Sequence, residues 1–503
     1  METELKFEVD LAGAEAIGRR LGLDSRGKTR SLRSVYFDTP EAALHAKGLV
    51  LRVRDSGKKR VQTVKKALSL AISRGEWETE VAGPAPDLKA AAKTPLSALL
   101  GGAKSGSLRP AFETRVDRTT RDIAVDGAMV EVALDRGVIA ADGIDAPILE
   151  LELELKAGKS RALFTLAREL AQVAPLNLSF ASKAARGYAL LEGEPLAPVR
   201  AADPALARDA TAGEAFKAVA GVGLAQIADN ARVLRHVRRI EALHQLRVGA
   251  RRLRSALSLF KPMLADGRLD AIKAELKWLT REFDDARNLD VFIRDSFRPA
   301  ARRHPHWPGL AAFGHDLIGV QTKGYDRAME AIGSERFRGL MLETAAWIDT
   351  GPWTSSDDPV LAAMRERPVK TVAAEILEER RRKIAKKGRK LAELEPRPRH
   401  KLRINTKKLR YACGFFGGLY SGKPAKRLKV YEDLMGDLQD GLGAAVDISA
   451  AESLIARLAI EHGTPELALA TGLVGGERQA GAATTLKAAE KAFRRFKKAK
   501  PFW

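Results

Sequence analysis

The chain has 503 residues, of which 45% are hydrophobic and 30% are charged, and its formal net charge is +22 at pH 7. The length predicts roughly two or three domains, the single cysteine, Cys413, excludes an internal disulfide framework, and no apolar run is long enough to span a bilayer. The charge is uneven, since residues 1–200 hold 31 Lys and Arg against 27 Asp and Glu while the rest holds 55 against 37, and this basic second part favours polyanionic partners such as nucleic acid, anionic lipid or polyphosphate.

Short segments of alternating polar and apolar residues occupy much of residues 1–80, and this period of two predicts β-strands. Each segment has one charged and one apolar face. In residues 49–54, for example, Arg52 and Arg54 alternate with Leu51 and Val53. The other charged faces carry Glu2, Glu4 and Lys6 in residues 2–10, Lys65 in residues 61–65, and Glu76, Glu78 and Glu80 in residues 74–80.

The most regular strand lies at residues 148–156, which read Ile-Leu-Glu-Leu-Glu-Leu-Glu-Leu-Lys. Glu150, Glu152 and Glu154 share one face, and neighbouring carboxylates on it lie roughly 6–7 Å apart. A row of like charges is unfavourable unless cations hold it or water covers it. Candidate cations in the flanking segments are Arg115, Arg118, Lys183 and Arg186.

Many strands with purely charged faces suggest a sheet that closes with these faces inward. The interior would then hold carboxylates beside Arg and Lys. Carboxylates bind Mg²⁺ or Mn²⁺, and Arg and Lys bind phosphate oxygens, so this composition suits a metal–phosphate ligand. The alternative is that each charged face is an ordinary solvated strand face.

Residues 1 to about 195, taken with all these strands in order, resemble the CYTH, or triphosphate tunnel metalloenzyme, family. The resemblance implies an antiparallel eight-stranded β-tunnel that hydrolyses triphosphates with Mg²⁺ or Mn²⁺. It implies a catalytic set in which the Lys and Arg residues hold phosphates and Glu76 is an alternative metal ligand. This set comprises Lys6, Arg52, Arg54, Lys65, Glu76, Arg118 and Lys183, with Arg115 as the alternative to Arg118. It implies a metal-binding set of Glu2, Glu4, Glu150, Glu152 and Glu154, and Asp135 matches a further acidic position.

The mechanism that this resemblance implies is phosphoryl transfer to water. A metal ion would bridge phosphate oxygens and lower the pKa of the attacking water. Arg and Lys would stabilise the charge on the leaving diphosphate, and a glutamate would orient the water. No residue stands out as a covalent nucleophile.

Residues 196–212 are rich in Pro and Ala, which predicts a linker. The linker separates two predicted domains, at residues 1–195 and 213–500. Beyond the linker the hydrophobic period becomes helical. On a helix, His244, Arg247, Arg251 and Arg254 fall within an arc of about 80°, with Arg252 beside them. The residues on the opposite, apolar side are Leu246, Ala250, Leu253 and Leu257.

The same pattern recurs 156 residues later, which predicts an internal duplication and two tandem helical bundles. The second copy places cations at the same offsets from its histidine. Its residues are His400, Arg403, Lys407, Lys408 and Arg410. A second pair of similar segments, residues 279–285 and 434–440, has nearly the same separation along the chain.

Residues 210 to about 500 resemble the CHAD domain, an all-α domain in which histidines and basic residues line a cavity and which is associated with inorganic polyphosphate. The resemblance implies polyphosphate binding by both copies of the pattern, that is by His244, Arg247, Arg251, Arg252, Arg254, His400, Arg403, Lys407, Lys408 and Arg410. The alternative is two solvated basic helix faces. The complete fold class is then α+β, an antiparallel β-tunnel followed by an all-α domain.

Three functions are compatible with these features. We favour an inorganic triphosphatase that also binds polyphosphate; thiamine triphosphate and nucleoside triphosphates are alternative substrates. A second hypothesis is a polyphosphate-binding protein with an inactive tunnel. Nucleic acid is not the expected partner, because aromatic residues make up only 6% of the chain and none alternate with the basic stripes for base stacking. The single cysteine fits a reducing compartment, and the N-terminus is charged from the second residue. Both features predict a cytoplasmic protein, which could associate with polyphosphate granules.

Overall fold

The computed structural model describes residues 2–57, 59–66, 73–74, 76–99, 108–264, 266–462 and 464–503. The chain divides into two compact units that alternate along the sequence. The first comprises Met1–Arg200, Leu224–Leu246 and Gly333–Pro352, and the second comprises Ala201–Gly223, Arg247–Ile332 and Trp353–Trp503. The predicted domain limits at 195 and 213 remain a prediction.

The first unit is built on one antiparallel sheet. Its strands are β1 (Glu2–Glu8), β2 (Lys28–Asp38), β3 (Leu49–Asp55), β4 (Arg60–Lys66), β5 (Ser73–Arg74), β6 (Glu76–Glu80), β7 (Arg109–Val125), β8 (Ala128–Ala141), β9 (Ile144–Ala157) and β10 (Asn177–Leu178). The accompanying helices are α1 (Leu11–Leu21), α2 (Leu23–Arg26), α3 (Ala43–Ala46), α4 (Pro95–Leu99), α5 (Arg161–Ala171) and α6 (Lys183–Leu191).

The order of strands confirms the predicted antiparallel sheet. Hydrogen-bonded neighbours follow the path β10-β1-β9-β8-β7-β2-β3-β4-β6. Within the described residues this path has nine strands rather than the predicted eight, because the two-residue β10 pairs with the end of β1. The path is not closed on itself, although β5, which immediately precedes β6 in the chain, pairs with β1.

The register of the sheet places opposite charges side by side. Along the β1–β9 pair, Lys6 lies opposite Glu152, and Glu4 lies opposite Glu154. The alternate residues Leu151 and Leu153 of β9 are fully buried on the other face. Because side chains alternate between faces with a period of two, a slip of one residue would move the carboxylates into this apolar layer. The apolar layer therefore specifies the register that positions the charges.

The remaining chain is helical, as predicted. Its helices are α7 (Ala212–His236), α8 (Ile240–Leu259), α9 (Arg268–Glu282), α10 (Asp284–Phe292), α11 (Arg298–Arg303), α12 (Leu310–Gly333), α13 (Glu335–Thr350), α14 (Pro359–Glu366), α15 (Val369–Lys387), α16 (Pro396–Phe416), α17 (Lys423–His462) and α18 (Pro465–Lys498). Aromatic and aliphatic residues from α10, α12 and α18, such as Phe292, Phe313 and Val474, form one core of the second unit. Within the described part of the chain, none of the helices has the length and apolarity to cross a bilayer.

Candidate functional site

The charged faces of the strands converge on one cavity of about 900 Å³ in the first unit. Strands β1, β3, β4, β6, β7, β8 and β9 each contribute charged side chains, and α6 adds two more. These residues are Glu4, Lys6, Arg52, Arg54, Lys65, Glu76, Glu78, Arg118, Glu131, Glu152, Glu154, Lys156, Lys183 and Arg186. The structure thus brings together nearly all of the predicted tunnel residues. The exceptions are Glu150, which does not line the cavity, and Glu2, whose side chain lies outside the described part.

Lys183 lies at the centre of a buried ion cluster. Its Nζ atom is 2.8 Å from Asp135 Oδ2, 2.7 Å from Glu150 Oε2 and 2.9 Å from Glu152 Oε1. Burial opposes the charge of Lys183, but these three carboxylates outweigh it and raise the pKa of the ammonium. Lys183 is the first residue of α6, so this helix delivers the cation that the row of glutamates on β9 requires.

Arginines complete the cluster from two other elements. Arg118 on β7 donates from Nε and Nη2 to both Asp135 oxygens at 2.7 Å and also contacts Glu152. Arg186 on α6 donates to Glu150 Oε1 at 2.6 Å. Burial favours the neutral form of Glu152, yet the surrounding charges of Lys183, Arg118 and Lys6 hold the pKa of this carboxyl well below its ordinary value. Glu152 is therefore ionised and paired with these cations.

A second wall of the cavity is rich in cations. Lys65 Nζ lies 2.7 Å from Glu76 Oε2, and Arg52 Nη2 lies 3.5 Å from Glu76 Oε1. The adjacent Arg52 charge and burial lower the pKa of Arg54 to about 10. Although burial acts in the opposite direction, Arg52 and Arg54 also lower the pKa of Tyr36. Such crowding of positive charge is relieved when an anion binds.

Two groups of carboxylates in the described chain offer oxygen ligands for a metal ion, and in one of them the oxygens already lie close together. Asp135, Glu150 and Glu152 offer oxygens that lie within 4.8 Å of one another, but these residues already pair with Lys183 and the arginines. The other group is a row across three neighbouring strands, in which Glu4 and Glu131 each lie opposite Glu154. Lys156 contacts Glu154 at 2.7 Å and Glu131 at 3.2 Å. Both groups offer the oxygen ligands that hard divalent cations prefer.

On α8, the residues of the predicted basic stripe differ in their burial and in their partners. The apolar side, Leu246, Ala250, Leu253 and Leu257, is fully buried. Arg252 is also buried; its guanidinium lies 5.1 Å from the Phe415 ring centroid and donates to the carbonyl of Ala202 at 2.7 Å. Arg247 pairs with Asp284, and burial lowers the pKa of Arg247 to about 10. His244 lies half-buried on the same helix.

Cations from three other helices surround Lys408 of α16 in the second unit. Lys408 Nζ donates to Ser258 Oγ at 3.3 Å. Burial, followed by the nearby charges of Arg380 and Arg254, lowers the pKa of Lys408, and Lys383 and Lys273 contribute further. The buried Nε atom of Arg380 has no hydrogen-bond partner within the described chain. The positive charge in this group is therefore only partly compensated.

The other predicted residues of α16 are less enclosed. Arg403 and Lys407 are half-buried, whereas His400 and Arg410 are exposed. Burial and the neighbouring charges of Arg403 and Lys407 lower the pKa of His400. This places a neutral imidazole at the edge of a basic surface at pH 7.

Comparison with protein-family models finds the CYTH domain at residues 1–188 and the CHAD domain at residues 218–456. The chain carries a CYTH domain followed by a CHAD domain. Both resemblances drawn from the sequence motifs are thereby confirmed, including the order of the two domains.

Two known proteins are similar to parts of this chain. An inorganic triphosphatase of Haemophilus influenzae is 32% identical over 168 residues, which are 32% of this chain and 46% of that protein. The chain therefore spans less than half of that relative. The crystal structure of the CHAD domain from the plant Ricinus communis is 28% identical, covers 59% of this chain and 96% of its own, and has a TM-score of 0.51.

Within the CYTH domain, the structure separates the two candidate arginines. Arg118 lines the cavity with a side chain that is 20% exposed, whereas Arg115 is 54% exposed and pairs with Asp145 at 3.2 Å. Three residues apart on one strand, the two side chains must point to opposite faces. The sequence carried this signal, because Phe112 and Val116, both apolar, share the face of Arg118.

Sequence reasoning did not assign roles to Glu131 and Lys156, which line the cavity of the CYTH domain beside Glu154. Arg186, which the sequence offered only as one of four candidate cations, joins the buried cluster. Lys156 continues the charged face of β9, so its position was readable from the alternation. The place of Arg186 depends on how α6 packs, which no local pattern reveals.

Proposed function

We propose that the CYTH domain hydrolyses inorganic triphosphate with a bound divalent cation. The observation that carries the proposal is a single cavity in which a cationic wall, including Arg52, Arg54 and Lys65, faces carboxylates on β1, β8 and β9. A triphosphate needs both kinds of group, because arginine and lysine bind its oxygens while metal-bound carboxylates neutralise the rest of its charge. The name of the Haemophilus relative supports inorganic triphosphate as the substrate.

The row of Glu4, Glu131 and Glu154 fits the metal better than the buried triad does. The triad oxygens already accept from Lys183, Arg118 and Arg186, so a cation there would have to displace buried ion pairs. When bound, a divalent cation would polarise phosphate oxygens and lower the pKa of a coordinated water. Mg²⁺ and Mn²⁺ both suit oxygen ligands of this kind.

The remaining residues position and stabilise the substrate. Glu76 holds Arg52 and Lys65 in place at 3.5 and 2.7 Å until phosphate oxygens replace its carboxylate as their partner. Arg118 is fixed by its two bonds to Asp135, which keeps its charge directed at the cavity without reorganisation. Lys6, only 3.2 Å from Glu152, is held in the same way.

The decisive experiment measures phosphate release from triphosphate, longer polyphosphate, ATP and thiamine triphosphate, each with Mg²⁺ or Mn²⁺. We expect the full chain to prefer triphosphate. Glu4→Gln removes a predicted metal ligand and should lower kcat by at least about 100-fold. The matched control Glu80→Gln changes an exposed glutamate paired with Lys59 and should leave kcat unchanged. No release from triphosphate with either metal would contradict the proposal, and a preference for ATP or thiamine triphosphate would replace the substrate.

We further propose that the CHAD domain binds inorganic polyphosphate. The cations around Lys408 support this, since Arg254, Lys273, Arg380 and Lys383 crowd it from neighbouring helices. A flexible chain of phosphates can contact several such cations at once and compensate the charge that the protein leaves uncompensated. If long polyphosphate does not bind the full chain at low salt, this part of the proposal is wrong.

A further inference from the structure

Helix α7 contributes two side chains to the cavity of the first unit. Asp229 and Arg232, three residues apart and hence on one face of the helix, both line the cavity together with the strand residues described above. Both lie in Leu224–Leu246, which belongs to the same compact unit as the sheet. Beside them the wall is apolar, formed by Pro195, Ala197, Pro198 and Val199.

The hydrogen-bonding capacity of the Asp229 carboxylate is not satisfied by its surroundings. Its carboxylate accepts a hydrogen bond from the backbone N–H of Phe180, but its Oδ1 atom is buried and has no hydrogen-bond partner within the described chain. Burial raises the pKa of Asp229 to about 7, although Arg232 acts in the opposite direction. Buried carboxylates normally have partners for both oxygens, so an unpaired oxygen at a cavity wall suggests a functional role.

Arg232 is held at the cavity by the sheet. Its Nε atom lies 3.8 Å from Glu8 Oε1, while Arg235, three residues further along the helix, pairs with the other Glu8 oxygen at 2.9 Å. Glu8 is thus shared between two arginines, of which only Arg232 lines the cavity. The Nε atom of Arg232 also lacks a hydrogen-bond partner in the described residues, which leaves donor capacity for an anion.

We infer that Asp229 and Arg232 determine which length of phosphate chain the cavity accepts. This inference rests on the proposed triphosphatase function and deepens it. Arg232 contacts the terminal phosphate that reaches the α7 end of the cavity. When it is ionised, at a pH above about 7, the Asp229 carboxylate beside Arg232 in an apolar wall repels any additional phosphate unit, because like charges interact strongly where little water screens them. The pair therefore favours triphosphate over longer chains.

The test compares kcat/KM for triphosphate with kcat/KM for inorganic tetraphosphate in the full chain. Asp229→Asn keeps the shape and the acceptor for Phe180 but removes the charge, so the tetraphosphate-to-triphosphate ratio should rise about tenfold. Arg232→Met should raise the same ratio by a similar factor, because it removes the contact to the terminal phosphate of triphosphate. Arg235→Met is the matched control, since it also removes a partner of Glu8 but not a cavity residue, and it should leave the ratio unchanged.

Titration calorimetry of both phosphates gives the same ratio without turnover. If wild type binds but does not hydrolyse triphosphate, the triphosphatase proposal fails, and a changed binding ratio in Asp229→Asn still supports the chain-length role. The chain-length role is overturned if the tetraphosphate-to-triphosphate ratio is unchanged in both Asp229→Asn and Arg232→Met. It is also overturned if Arg235→Met changes this ratio as much as they do. If Asp229→Asn fails to fold, the comparison of Arg232→Met with Arg232→Lys tests the chain-length role. We expect Arg232→Lys to retain the wild-type tetraphosphate-to-triphosphate ratio.

Discussion

The burial of Lys183 with three carboxylates determines much of the electrostatics of the CYTH cavity. Its side chain is 11% exposed, and Asp135 and Glu150 are almost fully enclosed. An ion cluster of this kind gains little net stability, because desolvation consumes most of the Coulomb energy. Removing one partner is different, since the remaining charges stay buried without compensation. Lys183 is therefore essential to the fold of the cavity as well as to the charge within it.

We predict that Lys183→Met lowers the free energy of unfolding by about 3–5 kcal/mol and abolishes the proposed hydrolysis of triphosphate. Methionine keeps the length of the side chain but leaves Glu150, Glu152 and Asp135 without their shared ammonium. Urea unfolding of the full chain, followed by circular dichroism, measures the first effect. Lys156→Met is the matched control, because its side chain is 39% exposed, and its cost should be below about 1 kcal/mol.

The cost of Lys183→Met should shrink as the pH falls from about 7 to 5. In wild type, Glu152 has a pKa held well below its ordinary value, so its contribution to stability is present above the unfolded-state pKa and is lost only as the pH falls through the lower folded-state pKa. Without the ammonium, the carboxyl pKa values rise and protonation relieves the repulsion. A cost independent of pH would show that packing, not charge, is responsible.

At the scale of an element, α6 is fixed in place by close packing. Ser182 caps the helix by accepting from the Ala185 N–H at 3.0 Å, and Tyr188 donates to Asp38 at 2.7 Å. The absence of a side chain at Gly187 allows the Phe112 ring to lie against the helix backbone. Because α6 begins with Lys183, this packing sets where the ammonium meets the carboxylates.

We predict that Gly187→Ala displaces α6 and lowers both stability and the proposed triphosphatase activity. A Cβ atom at this position would lie 2.1 Å from Phe112 Cε2, so the helix or the ring has to move, and overpacking of this kind costs about 1–3 kcal/mol. Thermal unfolding and kcat/KM for triphosphate measure the two effects. Gly319→Ala on α12 is the control; its Cβ would meet nothing within 4 Å, and alanine favours a helix. Equal behaviour of the two variants would refute the packing argument.

At the scale of the whole molecule, the excess of positive charge lies mainly beyond residue 200, where 55 Lys and Arg stand against 37 Asp and Glu. A field of this kind attracts any polyanion and is screened by salt. The specific contribution comes from cations that are close together and partly desolvated, such as Arg254 and Lys408. Exposed cations that already have a carboxylate partner contribute little to binding.

We predict that binding of long polyphosphate to the full chain weakens steeply with salt, because each bound cation releases a counterion from the polyanion. The double variant Arg254→Gln, Lys408→Gln should reduce the slope of log affinity against log salt by about two. Arg495→Gln, an exposed arginine paired with Asp437 at 3.3 Å, should leave the slope unchanged. Fluorescence anisotropy with labelled polyphosphate measures the affinity at each salt concentration and hence the slope. Equal slopes for all three proteins would assign the binding to the net charge alone.

The sequence by itself determined the strands of the CYTH domain and most of the side chains that face its cavity. Alternation with a period of two is a local property, so Lys6, Arg52 and Glu152 could be assigned to the charged face without knowing how the sheet folds. The repeated basic helix of the CHAD domain was readable for the same reason, since its buried stripe of Leu246 and Leu253 has the helical period.

Only the tertiary structure decided which charges meet. It enclosed Glu150 beneath Lys183 and Arg186, and it packed Arg252 against Phe415 instead of on the basic surface. It also brought Asp229, remote in sequence from every strand, to the wall of the cavity. Such meetings depend on the packing of elements that are far apart along the chain, and a periodic pattern within one element contains no information about its neighbours in space.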